Sequence, residues 1–360
     1  MMNTANEVPS VKEPGRVSIL DMLCGITLMG ICMDNFQEMY VHANLSQEMN
    51  QGIRTTIQDA ITQWMLSIFI EGKFYTLFSL LFGIGFCRLI RNMEQRGAHP
   101  YPRFYRQMTM LLYVGFLNLL LIWHGDILIL YTLAGGMFPL FRNLSGKWLL
   151  RWAGFFLLLP LMIDCTCEIT YRYPAYWIPN IDGEGSLFQF RIYRVFMWMR
   201  EIVEGNHFWR ILGLFLIGIW IERNKFYIHL EKRQKMLTKV FRYSLAVGLP
   251  YSLLYAWSVL EKQPVGLTMQ SAFYLMGTYL LSVAYAAGVT LVYLKTKEGR
   301  GWKWLSMMGR MVLTNYIGQS ILGILLFYTI GLGKDIPIGL LQVELMAFIV
   351  YLVLLVLSVG

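Results

Sequence analysis

Ten runs of mainly apolar residues, each close to the length that crosses a bilayer, follow one another along this chain. They lie at approximately 17–36, 68–90, 105–123, 126–142, 148–167, 207–222, 240–259, 271–294, 305–330 and 339–358. A helix needs roughly 20 such residues to span the hydrocarbon layer. The expected fold is therefore all-α, a polytopic transmembrane helical bundle of about ten spans. Residues 56–70 read as a short outer helix leading into the second run, whose start is interrupted by Glu71 and Lys73.

The connections set the orientation. Lys12 and Arg16 precede the first run. Arg88, Arg91, Arg96, Arg103 and Arg106 join the second to the third. Further clusters follow the fourth, sixth and eighth runs, including Arg142, Arg223, Lys232, Lys295 and Arg300. These alternate connections hold 22 of the 31 Lys and Arg residues. The opposite set carries most of the acids, among them Glu38, Asp59, Glu168, Glu261 and Asp335. Basic loops stay in the cytoplasm. Both termini are then expected there, and the net charge of +9 reflects membrane topology rather than nucleic-acid binding.

Composition excludes the competing classes. The chain of 360 residues is 56% hydrophobic and 15% charged, against about 25% charged in a soluble domain. Its mean hydropathy is +0.48. Disorder and a disulfide-stapled secreted fold do not fit these values. The five cysteines, Cys24, Cys32, Cys87, Cys165 and Cys167, read as reduced packing residues, without metal-ligand companions at zinc spacing. No cleavable signal peptide is evident. Residues 1–16 form a cytoplasmic tail and 17–358 a single transmembrane domain. Its one long outer connection, 168–206, ends in an apolar, Arg-interrupted segment expected to lie on the membrane as an interfacial helix.

Ionisable and amide groups inside the runs mark candidate function, because they are costly in hydrocarbon. Asp21, Gly25, Cys32 and Asn35 share one face of the first helix. Asp21 either belongs to a ligand site or pairs with an arginine at the inner interface. Lys73 either meets a partner on another helix or snorkels outward. Ser79 and Gly83 give a small-residue packing face. The turn Trp123-His124-Gly125-Asp126 is the sharpest chemical signal. His124 can exchange a proton near neutral pH, with Asp126 placed to orient it; the pair equally suits an interfacial His and a helix cap. In the ninth run Asn315 and Gln319, and beside them Tyr316 and Ser320, form two polar ridges. Arg310 at its inner end suits a phosphate or serves as a positive-inside anchor. Asn118 and Tyr131 flank the His124 turn. No nucleotide loop, HExxH or serine elbow is present in the sequence.

Four stretches carry a family resemblance: RVSILDMLCGITLMGICMDN (16–35), GKFYTLFSLLFGIGF (72–86), HGDILILYTLAGG (124–136) and GRMVLTNYIGQSI (309–321). With them the chain resembles the YeiB-like family of bacterial membrane proteins, a domain family of unknown function. Cys24 stands where that family's first motif usually has Arg. The family's short tail with a Gly-Pro-Leu-Glu-Trp-like motif does not occur before Gly360, so a truncated or divergent tail is expected. The family is in turn similar to transmembrane acyltransferases, including the lysosomal heparan glucosaminide acetyltransferase. That resemblance implies transfer from acyl-CoA, as co-substrate, to a hydroxyl or amine on a small-molecule, glycan or lipid acceptor. His124 and Asp126 would be catalytic. Asp21, Asn35, Lys73, Asn118, Tyr131, Arg310, Asn315, Tyr316 and Gln319 would line the substrate path. No tightly bound cofactor, metal or nucleic acid is expected. Membrane lipids are the surroundings, in a bacterial inner membrane, and a homodimer is compatible with this reading. The alternatives are a small-molecule or lipid transporter using His124 and Asp126 as a proton site, and a non-catalytic scaffold or sensor.

Overall fold

A computed structural model describes residues 19–51, 56–95, 97, 99–122, 127–170, 206–261, 265–296, 299–332 and 338–359, with side chains in the first helix described to Val41. Thirteen α-helices occur among them: α1 (Ile19–Gln51), α2 (Ile57–Phe69), α3 (Lys73–Gln95), α4 (Pro100–Leu117), α5 (Leu128–Gly136), α6 (Phe138–Arg142), α7 (Gly146–Thr170), α8 (His207–Arg223), α9 (Gln234–Leu260), α10 (Leu267–Lys295), α11 (Arg300–Arg310), α12 (Val312–Ile324) and α13 (Leu340–Leu357). The all-α membrane bundle is the fold the apolar runs require. Seven helical stretches are long and apolar enough to cross a membrane by length and composition. The runs at 105–123, 126–142 and 207–222 fall outside that set. Their helices are broken into short pieces, carry Arg103 and Arg106, or reach only 17 residues, as α8 does. The amino-terminal tail and nearly all of the 168–206 connection, with its expected interfacial helix, lie outside the described residues.

The two ends of the bundle differ in charge. At the basic end Arg91 meets the fully buried Glu222 at 2.5 Å, with Arg88 at 4.0 Å. Arg142 bonds Glu94 and the Tyr101 hydroxyl, and Arg223 donates to Leu144 O at 2.5 Å. At the far end, Leu340 N–H donates to Asp59 at 2.7 Å and Thr268 N–H to Glu168 at 2.8 Å.

Helix α8 is the bundle's axis. Ten of its 17 residues are buried, from Arg210 to Glu222, because α3, α5 and α7 enclose it. A helix apolar all round must be enclosed in this way. Its crossing with α3 is close because Gly83 and Gly218 lack side chains; a Cβ on Gly83 would stand 2.6 Å from Phe215 O. The neighbouring core is aromatic, with Phe82 4.9 Å and Phe215 5.5 Å from Tyr131 between ring centres. By contrast, α7 and α13 present Trp148, Phe155, Leu158, Leu345, Ile349 and Val353 on the surface. Apolar faces of that extent belong against lipid tails.

The second apolar run is not one helix. Helix α2 stops at Phe69, the chain turns through Ile70-Glu71-Gly72, and α3 starts at Lys73. Gly72 takes φ of +74°, a conformation L side chains rarely adopt. The break lies deep. Ser282 donates its hydroxyl to Lys73 O at 2.6 Å. That serine is about 22 Å along α10, a helix of 29 residues and about 43 Å. A break near mid-membrane must satisfy its freed backbone groups within the protein. Here Leu66 O accepts from the Ile70 and Glu71 amides, and Ile70 O from the Lys73 amide. Ser67 O accepts from Lys73 Nζ at 2.6 Å, Ile68 O from the Ser252 hydroxyl at 2.7 Å and Phe69 O from the Tyr285 hydroxyl at 2.9 Å. Every carbonyl from Leu66 to Ile70 is thus engaged.

Lys73 therefore does not snorkel: it is 1% exposed and holds the carbonyl end of α2. Its loss is the sharpest test of the break. Lys73→Met is expected to cost about 3 kcal/mol, since it orphans a buried carbonyl and removes the cation near the half-buried Glu71 and Asp34. Ser252→Ala removes one neutral cap and should cost about 1 kcal/mol. Denaturant or thermal unfolding of the purified protein in detergent measures both. Wild-type stability in Lys73→Met would contradict the capping role.

Candidate functional site

The break places charge in the bundle interior. Glu71 accepts the Tyr255 hydroxyl of α9 at 2.5 Å. Lys73 Nζ sits 5.9 Å from the centre of the same ring. Asp34 of α1 lies within electrostatic range of Lys73 and of Tyr274. Arg210 of α8 lies over the Tyr274 ring at 5.2 Å and donates to His207 Nδ1 at 3.1 Å. Because a guanidinium only donates, Nδ1 is the acceptor, and neutral His207 carries its proton on Nε2. Asp164 of α7 closes this side, taking hydrogen bonds from Ser271 at 2.5 Å and Asn206 at 3.3 Å. Six helices thus direct two cations, three carboxylates, a histidine and two tyrosines into the far half of the bundle.

Lys73 is the residue of this cluster that the sequence marked for ligand binding; Glu71 and Asp34 stood beside the marked positions. Arg210, His207 and Asp164 were missed. The signal was present, since each is a polar or charged group within an apolar run. Glu222 and Glu344 carry the same signal.

The remaining candidates divide into two groups. Some are used by the fold. Asp21 and Arg310 pair with each other at 3.3 Å at the basic end, partly exposed. Around them α1 and α11 cross so closely that a Cβ on Gly309 would overlap Asp21 O. Asn315 donates to Met308 O at 3.1 Å and to the Ser358 hydroxyl at 3.0 Å, bridging the break between α11 and α12 to the end of α13. The Tyr131 hydroxyl is bonded to Ser79 at 2.8 Å. The Ser79–Gly83 face is therefore a packing face, as its small residues suggest.

Others retain polar atoms without a partner among the described residues. Asn118 is 1% exposed, and neither atom of its amide has a hydrogen-bond partner there. It opens a π-helical turn, Asn118–Ile122. Gln319 Nε2 donates to Leu28 O at 3.1 Å while its Oε1 is unpartnered. Asn35 Nδ2 is buried and unpartnered as well. The Tyr316 hydroxyl lies 3.5 Å from Ile127 N, so that ring meets the chain one residue beyond Asp126. His124 and Asp126 themselves lie outside the described residues.

Two ion pairs at the basic end give contrasting expectations. Asp21–Arg310 is solvent-screened, and a double-mutant cycle should return less than about 1 kcal/mol of coupling. Glu222→Ala removes a fully buried carboxylate, but Arg88 and Arg91 are about a third exposed and can turn to water, so it should cost about 2 kcal/mol. Unfolding midpoints in detergent would separate the two; equal effects would refute this assignment of burial.

Residues 221–359, the segment from the end of α8 through α13, match the family model described as a protein of unknown function, DUF418. Three relatives match along most of their length. The uncharacterized protein YxaH of Bacillus subtilis is 28% identical over 344 residues, covering 88% of this chain and 83% of that one. The uncharacterized protein YeiB of Escherichia coli is 26% identical over 363 residues, covering 92% and 87%. An uncharacterized 39.9 kDa protein from the amylase 3′ region of Bacillus acidopullulyticus is 26% identical over 320 residues, covering 85% and 78%. No solved structure matches the chain. The chain is a homologue of the uncharacterized proteins YeiB and YxaH, with the DUF418 match in its carboxy-terminal part.

Proposed function

We propose that this protein is a membrane-embedded acyltransferase, moving an acyl group from acyl-CoA to a hydroxyl or amine of a small-molecule, glycan or lipid acceptor. Its setting is a bacterial inner membrane, with the basic end in the cytoplasm. One observation carries the choice of a working interior over a dry scaffold. Three buried amides, Asn35, Asn118 and Gln319, keep polar atoms that find no partner among the described residues. Native interiors pair nearly all such groups, and exceptions mark ligand or water contacts. The acyl-transfer chemistry rests on the resemblance to transmembrane acyltransferases and on the His124 turn.

In this reading the CoA phosphates approach the basic end, near Arg310 and the Arg88–Arg106 connection. The thioester reaches the interior beside the π turn. His124, oriented by Asp126, takes the proton from the acceptor as its oxygen or nitrogen attacks the thioester carbon. Asn118, Asn35 and Tyr316 supply donors to the developing oxyanion. Collapse expels the CoA thiolate, which takes the proton back from His124. Lys73 and Arg210 hold the acceptor's polar end from the far side.

A transporter is the second reading, because broken spans at mid-membrane are where transporters bind solutes. The α2–α3 break, with its buried lysine, fits that pattern. The deciding experiment gives labelled acetyl-CoA and longer acyl-CoAs to the purified protein, wild type beside His124→Ala. Saturable binding is expected, with hydrolysis or transfer falling about a hundredfold in the variant while binding persists. Absence of binding at every chain length would overturn acyl transfer in favour of transport, which flux into proteoliposomes would then follow.

A further inference from the structure

Helices α1 and α13 run antiparallel, and two contacts fix their register. The Tyr351 hydroxyl donates to Gly25 O at 3.1 Å, and Cys32 Sγ to Ala347 O at 3.4 Å. One more turn toward the far end brings Asn35 and Phe36 level with Glu344 and Val343. Glu344 is 5% exposed, and neither carboxyl oxygen has a hydrogen-bond partner among the described residues. Asn35, on the facing helix, is 9% exposed, and its Nδ2 has no acceptor among the described residues. An unused acceptor and an unused donor therefore stand at the same level, in the far half of an apolar interface.

Among the described residues, the groups around Glu344 supply no countercharge. From α1, Asp34 and Cys32 act on it electrostatically, both as carriers of negative charge when ionised. From α2, Asp59 is engaged with Leu340 N–H and Thr56. Helix α12 presents Tyr316 as its titratable group. Helix α11 reaches α13 at the basic end, where Arg310 is paired with Asp21. Lys73 lies in range of Asp34 and is bound to Ser67 O. A bare carboxylate in these surroundings is expensive, whereas the neutral acid is not.

We propose that Glu344 is an intramembrane proton-exchange site. The carboxyl oxygen holds a proton at rest. On release the O–H bond breaks, the proton leaves to water, and the carboxylate turns to accept from Asn35 Nδ2–H. Reprotonation reverses both steps. The unused amide makes the proton exchangeable rather than locked, since the ionised form has a donor waiting. This site shares Asn35 with the acyl-transfer reading, but labelling of Glu344 tests it without acyl-CoA, so either can fail alone.

A membrane-soluble carbodiimide tests the site on the intact protein in lipid nanodiscs. The reagent adds to a protonated carboxyl, and the adduct rearranges to a stable N-acylurea that peptide mass spectrometry locates. Labelling of Glu344 is expected at mildly acidic pH, falling about tenfold per pH unit once the acid titrates. Asn35→Ala removes the donor to the carboxylate, so labelling should persist to higher pH. Glu344→Gln, matched to wild type by size-exclusion profile, should lose the adduct. An unlabelled Glu344 in folded protein, or labelling that ignores pH, would overturn the proposal. Labelling blocked by sodium or potassium at constant pH would also overturn it, in favour of a metal-cation site.

Discussion

The structure depends on how a broken helix is made tolerable inside a membrane. Between Phe69 and Lys73 the chain abandons helical geometry near the midpoint of the α10 neighbour. Hydrocarbon offers nothing to the carbonyls so released, and each one left alone costs several kcal/mol. Three side chains from three elements close the account: Lys73 itself, Ser252 of α9 and Tyr285 of α10. Those bonds fix the depth and rotation of α2, α3, α9 and α10 relative to one another. They also hold a buried lysine and a half-buried glutamate at the break.

From that constraint the interior acquires its division. Below the break, α3 and α8 cross at Gly83 and Gly218 and enclose an aromatic core around Tyr131. That region is packed and hydrogen-bonded within itself. Above the break, Arg210, His207, Asp164 and Asp34 converge with Glu71 and Lys73. Elsewhere in the bundle Asn35, Asn118 and Gln319 keep polar atoms without partners among the described residues.

Much of the architecture was legible in the sequence. The apolar runs gave the helices, and Glu71 and Lys73 marked where the second run would fail. The Ser79–Gly83 spacing marked a packing face, and the fold uses it as one. What was not legible follows from physics that sequence spacing does not contain. Asp21 and Asn35 share a helical face, yet only the packing of α11 and α13 determines that one is paired and the other is not. Asn315 reads as a ligand residue because it is an amide in an apolar run; its partners are Met308 O and a serine 43 positions away. Arg210 belongs to no motif, although a charge inside an apolar run is itself a signal. The break at Met137 is announced by Pro139 in the next helix's first turn, whereas the break at Met311 has no proline to announce it.

The depth of the break is the quantity to measure. Phe69 is 38% exposed, at the surface of the bundle beside the interrupted backbone. A nitroxide attached at Phe69→Cys, in a background with the five native cysteines replaced, reports its depth through relaxation by oxygen and by a water-soluble nickel chelate. A break inside the hydrocarbon predicts strong oxygen accessibility and weak nickel accessibility, close to values at mid-bilayer. Nickel accessibility equal to that of an aqueous loop would place the break in water, where its carbonyls need no caps and Lys73 need not be buried.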